Sequence, residues 1–236
     1  RLPGSDSTAA KANSDTAAPK TGLFVNPSSM AFQLQNGQAA TQTITISNKL
    51  AERNQFKIYL GDWERDSSGK HEYYDPGTLS RSCARWVSID KDVVELEPGQ
   101  STTISLRMQV PDSIEVIKEM KWTMLFVELV KERKPPPVFG KDISAQINYQ
   151  FRFGLHVLQT PPTLSEKSLK MLSFDPLYVT KDSTSFLMGC RNDGDLQIKC
   201  FAAMELTNLT SGVKIRTEPV EFNIFPKARR FAKLKF

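Results

Sequence analysis

The longest unbroken alternation in the chain, residues 143–157, constrains its fold most. Ile143, Ala145, Ile147, Tyr149, Phe151, Phe153, Leu155 and Val157 fall on one face; Ser144, Gln146, Asn148, Gln150, Arg152 and His156 fall on the other. A period of two is the signature of a strand with one face turned to a core. At about 3.3 Å per residue the stretch is roughly 50 Å long, against about 17–20 Å for an ordinary strand. Such a strand either bends across two sheets or reaches beyond its own core.

The rest of the chain follows the same period in shorter pieces. Leu23–Val25, Met30–Leu34, Thr41–Asn48, Phe56–Leu60 (ending at Gly61), Val93–Leu96 and Ile104–Val110 read as strands separated by Asn-Gly and Pro-Gly turns. Trp122–Val130 is apolar throughout, as in a strand buried on both faces. Thr160-Pro161-Pro162-Thr163 breaks the pattern and reads as a linker. Strands resume at Lys170–Phe174, Ser185–Arg191, Ile198–Leu206, Val213–Arg216, Val220–Phe225 and Arg229–Phe236. No segment carries a sustained 3.6-residue period; Ser113–Glu119 reads as at most one helical turn. Strands at this spacing predict an all-β chain of two sandwiches in tandem. The expected divisions are a flexible tail over 1–21, a first sandwich over 22–160, a linker over 161–167 and a second sandwich over 168–236. The tail contains a single leucine and no other large apolar side chain, too little buried surface to offset the entropy of ordering. It reads either as a surface tether or as a plain extension.

Composition removes several functions. Three cysteines (Cys83, Cys190, Cys200) and two histidines (His71, His156) make no zinc cluster at a usual spacing, and neither histidine sits in a nucleophile-like context. No glycine-rich phosphate loop or His-Glu-x-x-His motif occurs. The chain therefore reads as a non-enzyme with no cofactor, no metal and no small-molecule substrate. Its 31 basic and 26 acidic residues give a net charge of +5, mild for a nucleic-acid binder, and no interleaved aromatic and basic pattern is visible in the first sandwich. No run of 18 apolar residues occurs, so membrane association is expected only indirectly. The chain opens on Arg1 with no apolar leader after it, so any targeting segment is expected to have been removed.

An ordered series runs through the first sandwich: Ile46-Ser47-Asn48, Gly61-Asp62-Trp63, Asp66 and Gly69, Pro76-Gly77-Thr78, Ser82 and Trp86, Leu96-Glu97-Pro98-Gly99, Val110-Pro111 and a strand opening at Trp122. This series resembles the immunoglobulin-like first domain of the periplasmic pilus-assembly chaperones, the PapD-like group. Asn192-Asp193-Gly194 and Glu221–Pro226 are similar to features of that group's second domain. The resemblance implies two immunoglobulin-like sandwiches, a periplasmic location in a bacterial envelope, and another envelope or secreted protein as partner. It also implies a mechanism, in which the long strand ending the first domain is added to an incomplete partner sandwich. Ile143, Ala145, Ile147 and Tyr149 would then meet the partner, while Phe151, Phe153 and Leu155 stay in the chain's own core. For Ile143, Ala145 and Ile147 ordinary core is the competing reading. Arg152 falls where the group places a cleft lysine that holds the partner's terminal carboxylate; the other reading is a solvated strand charge. The first strand offers Ser28, Ser29 and Met30 where the group carries an arginine, which favours an alternative, a permanent structural subunit of an envelope secretion or adhesion assembly.

Other features stay open. Cys190 and Cys200 flank the Asn192–Asp195 turn and are either paired or free buried thiols; Cys83 reads as a small buried hydrophobe. Lys134-Pro135-Pro136-Pro137 reads as a hairpin tip. Arg216, Lys227, Arg229, Arg230, Lys233 and Lys235 give the C-terminal region a basic bias, either solvated or facing an acidic partner or anionic head groups. Residues 165–236 fall short of the roughly 100 that a seven-stranded sandwich needs, so the second sandwich is expected to be incomplete, by truncation or by completion from another chain.

Overall fold

A computed structural model describes residues 21–112, 117–130, 151–179 and 184–235. Among the described residues the first body of sheet contains β1 (Leu23–Asn26), β2 (Ser29–Phe32), β3 (Ala39–Asn48), β4 (Asn54–Arg65), β5 (His71–Tyr74), β6 (Val87–Ile89), β7 (Val93–Leu96), β8 (Ser101–Gln109), β9 (Lys121–Val130) and β10 (Arg152–Gln159). One sheet has the order β1-β3-β8-β6; the facing sheet runs β2-β10-β9-β4-β5, with β7 also paired to β4. The first strand changes sheets at Pro27, which has no N–H to give a ladder: β1 pairs β3, and β2 pairs β10 in parallel.

Alternation assigns the side chains. Ile44 and Ile46 of β3, Phe56 and Ile58 of β4, Ile104, Leu106 and Met108 of β8, Leu125, Val127 and Leu129 of β9, and Leu155 and Val157 of β10 form one buried core. β9 is buried on both faces, as its unbroken apolar run predicts, because Trp122, Met124 and Phe126 enter a second cluster on the outer side of the same sheet. β4 continues past Gly61, the expected end, to Arg65. Gly61 is tolerated inside the strand because a Cβ there would lie 2.7 Å from the Phe126 ring.

The second body holds β11 (Leu169–Val179), β12 (Thr184–Asn192), β13 (Ile198–Ala202), β14 (Glu205–Thr207), β15 (Lys214–Arg216), β16 (Val220–Ile224) and β17 (Arg229–Lys235). Its sheets are β11-β12-β17, β13-β16 and β14-β15. The segment 198–206, read as one strand, is two: β13 pairs β16 while β14 turns away to pair β15. Phe222, Ile224, Ala232 and Leu234 pack with Cys190 and Cys200, both of which are free thiols. Cys83 is also free and sits in the first core, where burial pushes its thiol up to about 12. The Lys134–Pro137 tip, residues 143–150 and most of the expected turn at 113–119 lie outside the described residues.

Among the described residues each body carries one buried asparagine in an equivalent role. Asn48 Nδ2 donates to the carbonyls of Glu52 and Leu96 at 2.7 and 2.9 Å, and its Oδ1 accepts from Leu50 N. Asn192 Nδ2 donates to Leu196 O and Ile224 O at 2.7 and 3.2 Å, and its Oδ1 accepts from Gly194 N. Both side chains satisfy backbone groups that a strand end would otherwise leave unpaired.

Candidate functional site

The face of β4, β9 and β10 turned away from the first core meets the second body. Period-two geometry puts Tyr59, Trp63 and Arg65 of β4 on it, with Trp122, Met124 and Phe126 of β9 and Arg152, His156 and Leu158 of β10. Phe225, just after β16, inserts against it from the other side. Its ring lies 5.0 Å from that of Trp63, edge to face, and 4.7 Å from that of Trp122. Trp63 is fully buried, its Nε1 donating to Thr123 O, while Trp122 Nε1 donates to Trp63 O at 3.0 Å. Beside them a cleft of about 360 Å³ opens between Trp63, Arg65, Arg81 and Trp122 on one side and Phe225 and Arg229 on the other.

Both histidines belong to this site. The His156 ring stacks on Trp63 at 4.5 Å, and the His71 ring meets Trp63 edge-on at 5.0 Å; the two imidazoles are 5.8 Å apart. Burial, then the charges of Arg65 and His71, push His156 down to about 4. His71 moves the same way, through burial and then Arg65 and Arg230. Arg65 Nη2 lies 2.8 Å from His71 Nε2, and a guanidinium only donates, so Nε2 is the acceptor and the proton of the neutral ring sits on Nδ1. Among the described residues no group of His, Cys, Asp and Glu is arranged to hold a metal ion.

Arg152 is on this face. Its guanidinium lies 4.5 Å from the Phe126 ring centre and 5.1 Å from that of Tyr73. Phe153, Leu155 and Val157 turn to the opposite side, into the first core. Phe151 does not join them: it is half exposed, although its carbonyl accepts from Leu129 N of β9 at 2.9 Å. Ile143, Ala145, Ile147 and Tyr149 lie outside the described residues. On the first strand, Ser28 O accepts from His156 N and Met30 is buried in the core, so no cation comes from there.

The sequence reading missed the mixing of aromatic and basic side chains. Arg65 lies over Trp63, Arg81 over Trp122 and Arg152 over Phe126. The pattern is invisible along the chain because β4, β9, β10 and the segment before Ser82 contribute only one or two members each. Gly61-Asp62-Trp63 was its nearest visible trace. Asp62 itself faces inward and accepts from Leu79 N and Ser82 Oγ at 2.9 and 2.6 Å, pinning the loop that carries Arg81.

No protein-family model matches the sequence, and no characterised protein matches it in a sequence comparison. Solved structures do match. A chain of a chaperone–tip adhesin complex of CFA/I fimbriae biogenesis superposes with a TM-score of 0.50 over 90% of this chain and 85% of its own, at 16% identity. A chain of the Salmonella enterica SafA pilin–SafB chaperone complex gives 0.50 over 91% and 85%, at 9% identity. The chain has the PapD-like chaperone fold. In this PapD-like fold the aromatic cleft lies between the two sandwiches, and β10 is the last strand before the connection at Thr160–Leu164.

Proposed function

We propose that the chain is a periplasmic chaperone-type protein that binds another envelope protein by β-strand addition through strand 143–157 and the cleft beside it. The observation that carries this reading is the pairing of β10. On one side β10 is paired with β9 from Arg152 to Gln159; on the other, β2 covers only His156 to Gln159. From Arg152 to Leu155 the second edge has no partner strand among the described residues. An unpaired edge offers a ladder of N–H and C=O groups to an extended segment. Ile143, Ala145, Ile147 and Tyr149 continue the parity of Phe153 and Leu155, so an added strand would meet them in sequence. Arg152, on the cleft face, is suited to a partner's carboxylate.

In the reading proposed here the chain performs no catalysis. Native pull-down from the envelope followed by mass spectrometry tests it. Wild-type chain is expected to bring down one releasable partner. The Ile143→Ala, Ile147→Ala double variant is expected to lose that partner while its unfolding midpoint stays within a few degrees. Retention of the partner by the double variant would sink the reading. The absence of a first-strand cation favours a second reading, a permanent subunit of an envelope assembly. That reading predicts a large, non-releasable complex, and a double variant that loses stability instead.

A further inference from the structure

The sheet β11-β12-β17 turns one face to the second core and the other to solvent. Ala232 and Leu234 point inward from β17, so parity puts Arg229, Phe231, Lys233 and Lys235 on the outer side, and all four are exposed. Register then sets a row of cations across all three strands: Lys170 lies opposite Arg191, and Arg191 opposite Arg229. At about 4.8 Å between strands this row is roughly 10 Å wide, and Arg229 to Lys235 runs roughly 20 Å along β17. Further along, Lys233 Nζ lies 4.5 Å from the Tyr178 ring centre and donates to its hydroxyl at 3.3 Å. Between the two groups Gly189 is paired with Phe231; a Cβ there would fall 3.0 Å from that ring, so the glycine makes room for it.

Carboxylates do not balance this face. Asp193, just beyond β12, pairs with Arg191 at 2.6 Å and with Lys170 at 3.1 Å. Among the described residues Arg229, Lys233 and Lys235 make no ion pair. Like charges directly opposite each other, as Arg191 and Arg229 are, weaken a sheet. A face that gathers them in spite of that cost fits an anionic partner. The partner's shape follows from the backbone. β12 is paired on both edges, so no extended segment adds to the middle of this face. Phe231 and Tyr178 are exposed among the cations.

We propose that the outer face of β11-β12-β17 docks on a membrane surface rich in anionic phospholipid. Head-group phosphates accept from the Arg229 guanidinium and from the Lys233 and Lys235 ammonium groups, with Lys170 and Arg191 beside them. Phe231 and Tyr178 are side chains of the kind that settles at head-group level. Attachment of this kind needs no apolar span, and so goes beyond the indirect association that composition alone suggests. None of these residues lies on β10, so the site does not depend on strand addition.

Co-sedimentation of the full chain with vesicles of phosphatidylglycerol and phosphatidylcholine in equal parts, against phosphatidylcholine alone, tests this. Wild type is expected to bind the anionic vesicles only, and less as salt is raised. Lys233→Gln and Lys235→Gln should each weaken binding about fivefold, and the triple variant with Arg229→Gln about a hundredfold. Asp193→Asn releases Lys170 and Arg191 from their shared carboxylate and should strengthen binding several-fold. Lys199→Gln, on β13 and outside this sheet, should bind as wild type. Circular dichroism confirms that each variant is folded; should the triple variant not be, the single lysine variants and Asp193→Asn decide. Equal binding to both kinds of vesicle, unchanged binding in the lysine variants, an equal loss in Lys199→Gln, or capture by polyglutamate without capture by the vesicles overturns the proposal.

Discussion

His156 shows how one side chain ties stability to pH. Its imidazole is held neutral against Trp63, at about 4 instead of the ordinary 6.5. The unfolded chain therefore takes up this proton first as pH falls. The stabilisation is whole above about pH 6.5 and is lost as pH falls toward about 4. The shift corresponds to about 2 kcal/mol once partial exposure of the ring is discounted. Urea unfolding at pH 7 and pH 4.5 is expected to show that loss, and His156→Gln to remove most of the difference; His71, shifted the same way, leaves the remainder. A second prediction concerns the buried asparagines. Asn48→Ala and Asn192→Ala each strand two carbonyls and one N–H, and each should cost about 2–3 kcal/mol in chemical denaturation. Both asparagines stand out in the sequence, in Ser47-Asn48 and Asn192-Asp193-Gly194. The pairing of Arg65 with His71 does not, because it depends on the register of β4 against β5.

Strands were legible where one period governs one face. β3, β8 and β9 alternate or run apolar, and they fold within a few residues of their predicted bounds. Departures have local causes. β4 runs through Gly61 because an aromatic ring fills the glycine's vacant side, and 198–206 divides because its two halves find different partners. β5 and β6 escaped the reading because His71–Tyr74 and Val87–Ile89 are too short to establish a period. β9 serves two cores at once, and its two faces predict different outcomes. Leu125→Ala should cost about 2–5 kcal/mol and lower the midpoint of the first sandwich. Phe126→Ala should leave that core intact yet free the Arg152 guanidinium from its ring, seen as raised Arg152 mobility by NMR relaxation.

At the scale of the molecule, the two sandwiches meet through Phe225 and through the Ser67 carbonyl, which accepts from Phe231 N and Arg230. Phe225→Ala removes a ring wedged between two tryptophans. It should cost about 3–5 kcal/mol, and small-angle scattering should show a larger radius of gyration. Two tandem β-sandwiches were readable from strand spacing and the Pro-Pro break. The cleft was not, since Phe225, Trp63 and Trp122 are far apart in the chain and only the folded arrangement brings them into one cluster.

The three free thiols divide between the two cores: Cys83 in the first, Cys190 and Cys200 in the second. All are shielded, and Cys83 stays protonated far above neutral pH. Each sandwich thus carries its own silent chemical clock. An alkylating reagent reaches Cys83 only when the first sandwich opens and Cys190 or Cys200 only when the second does. Mass-resolved labelling of the untouched chain would time the two openings separately, and would tell whether the halves come apart together or in turn.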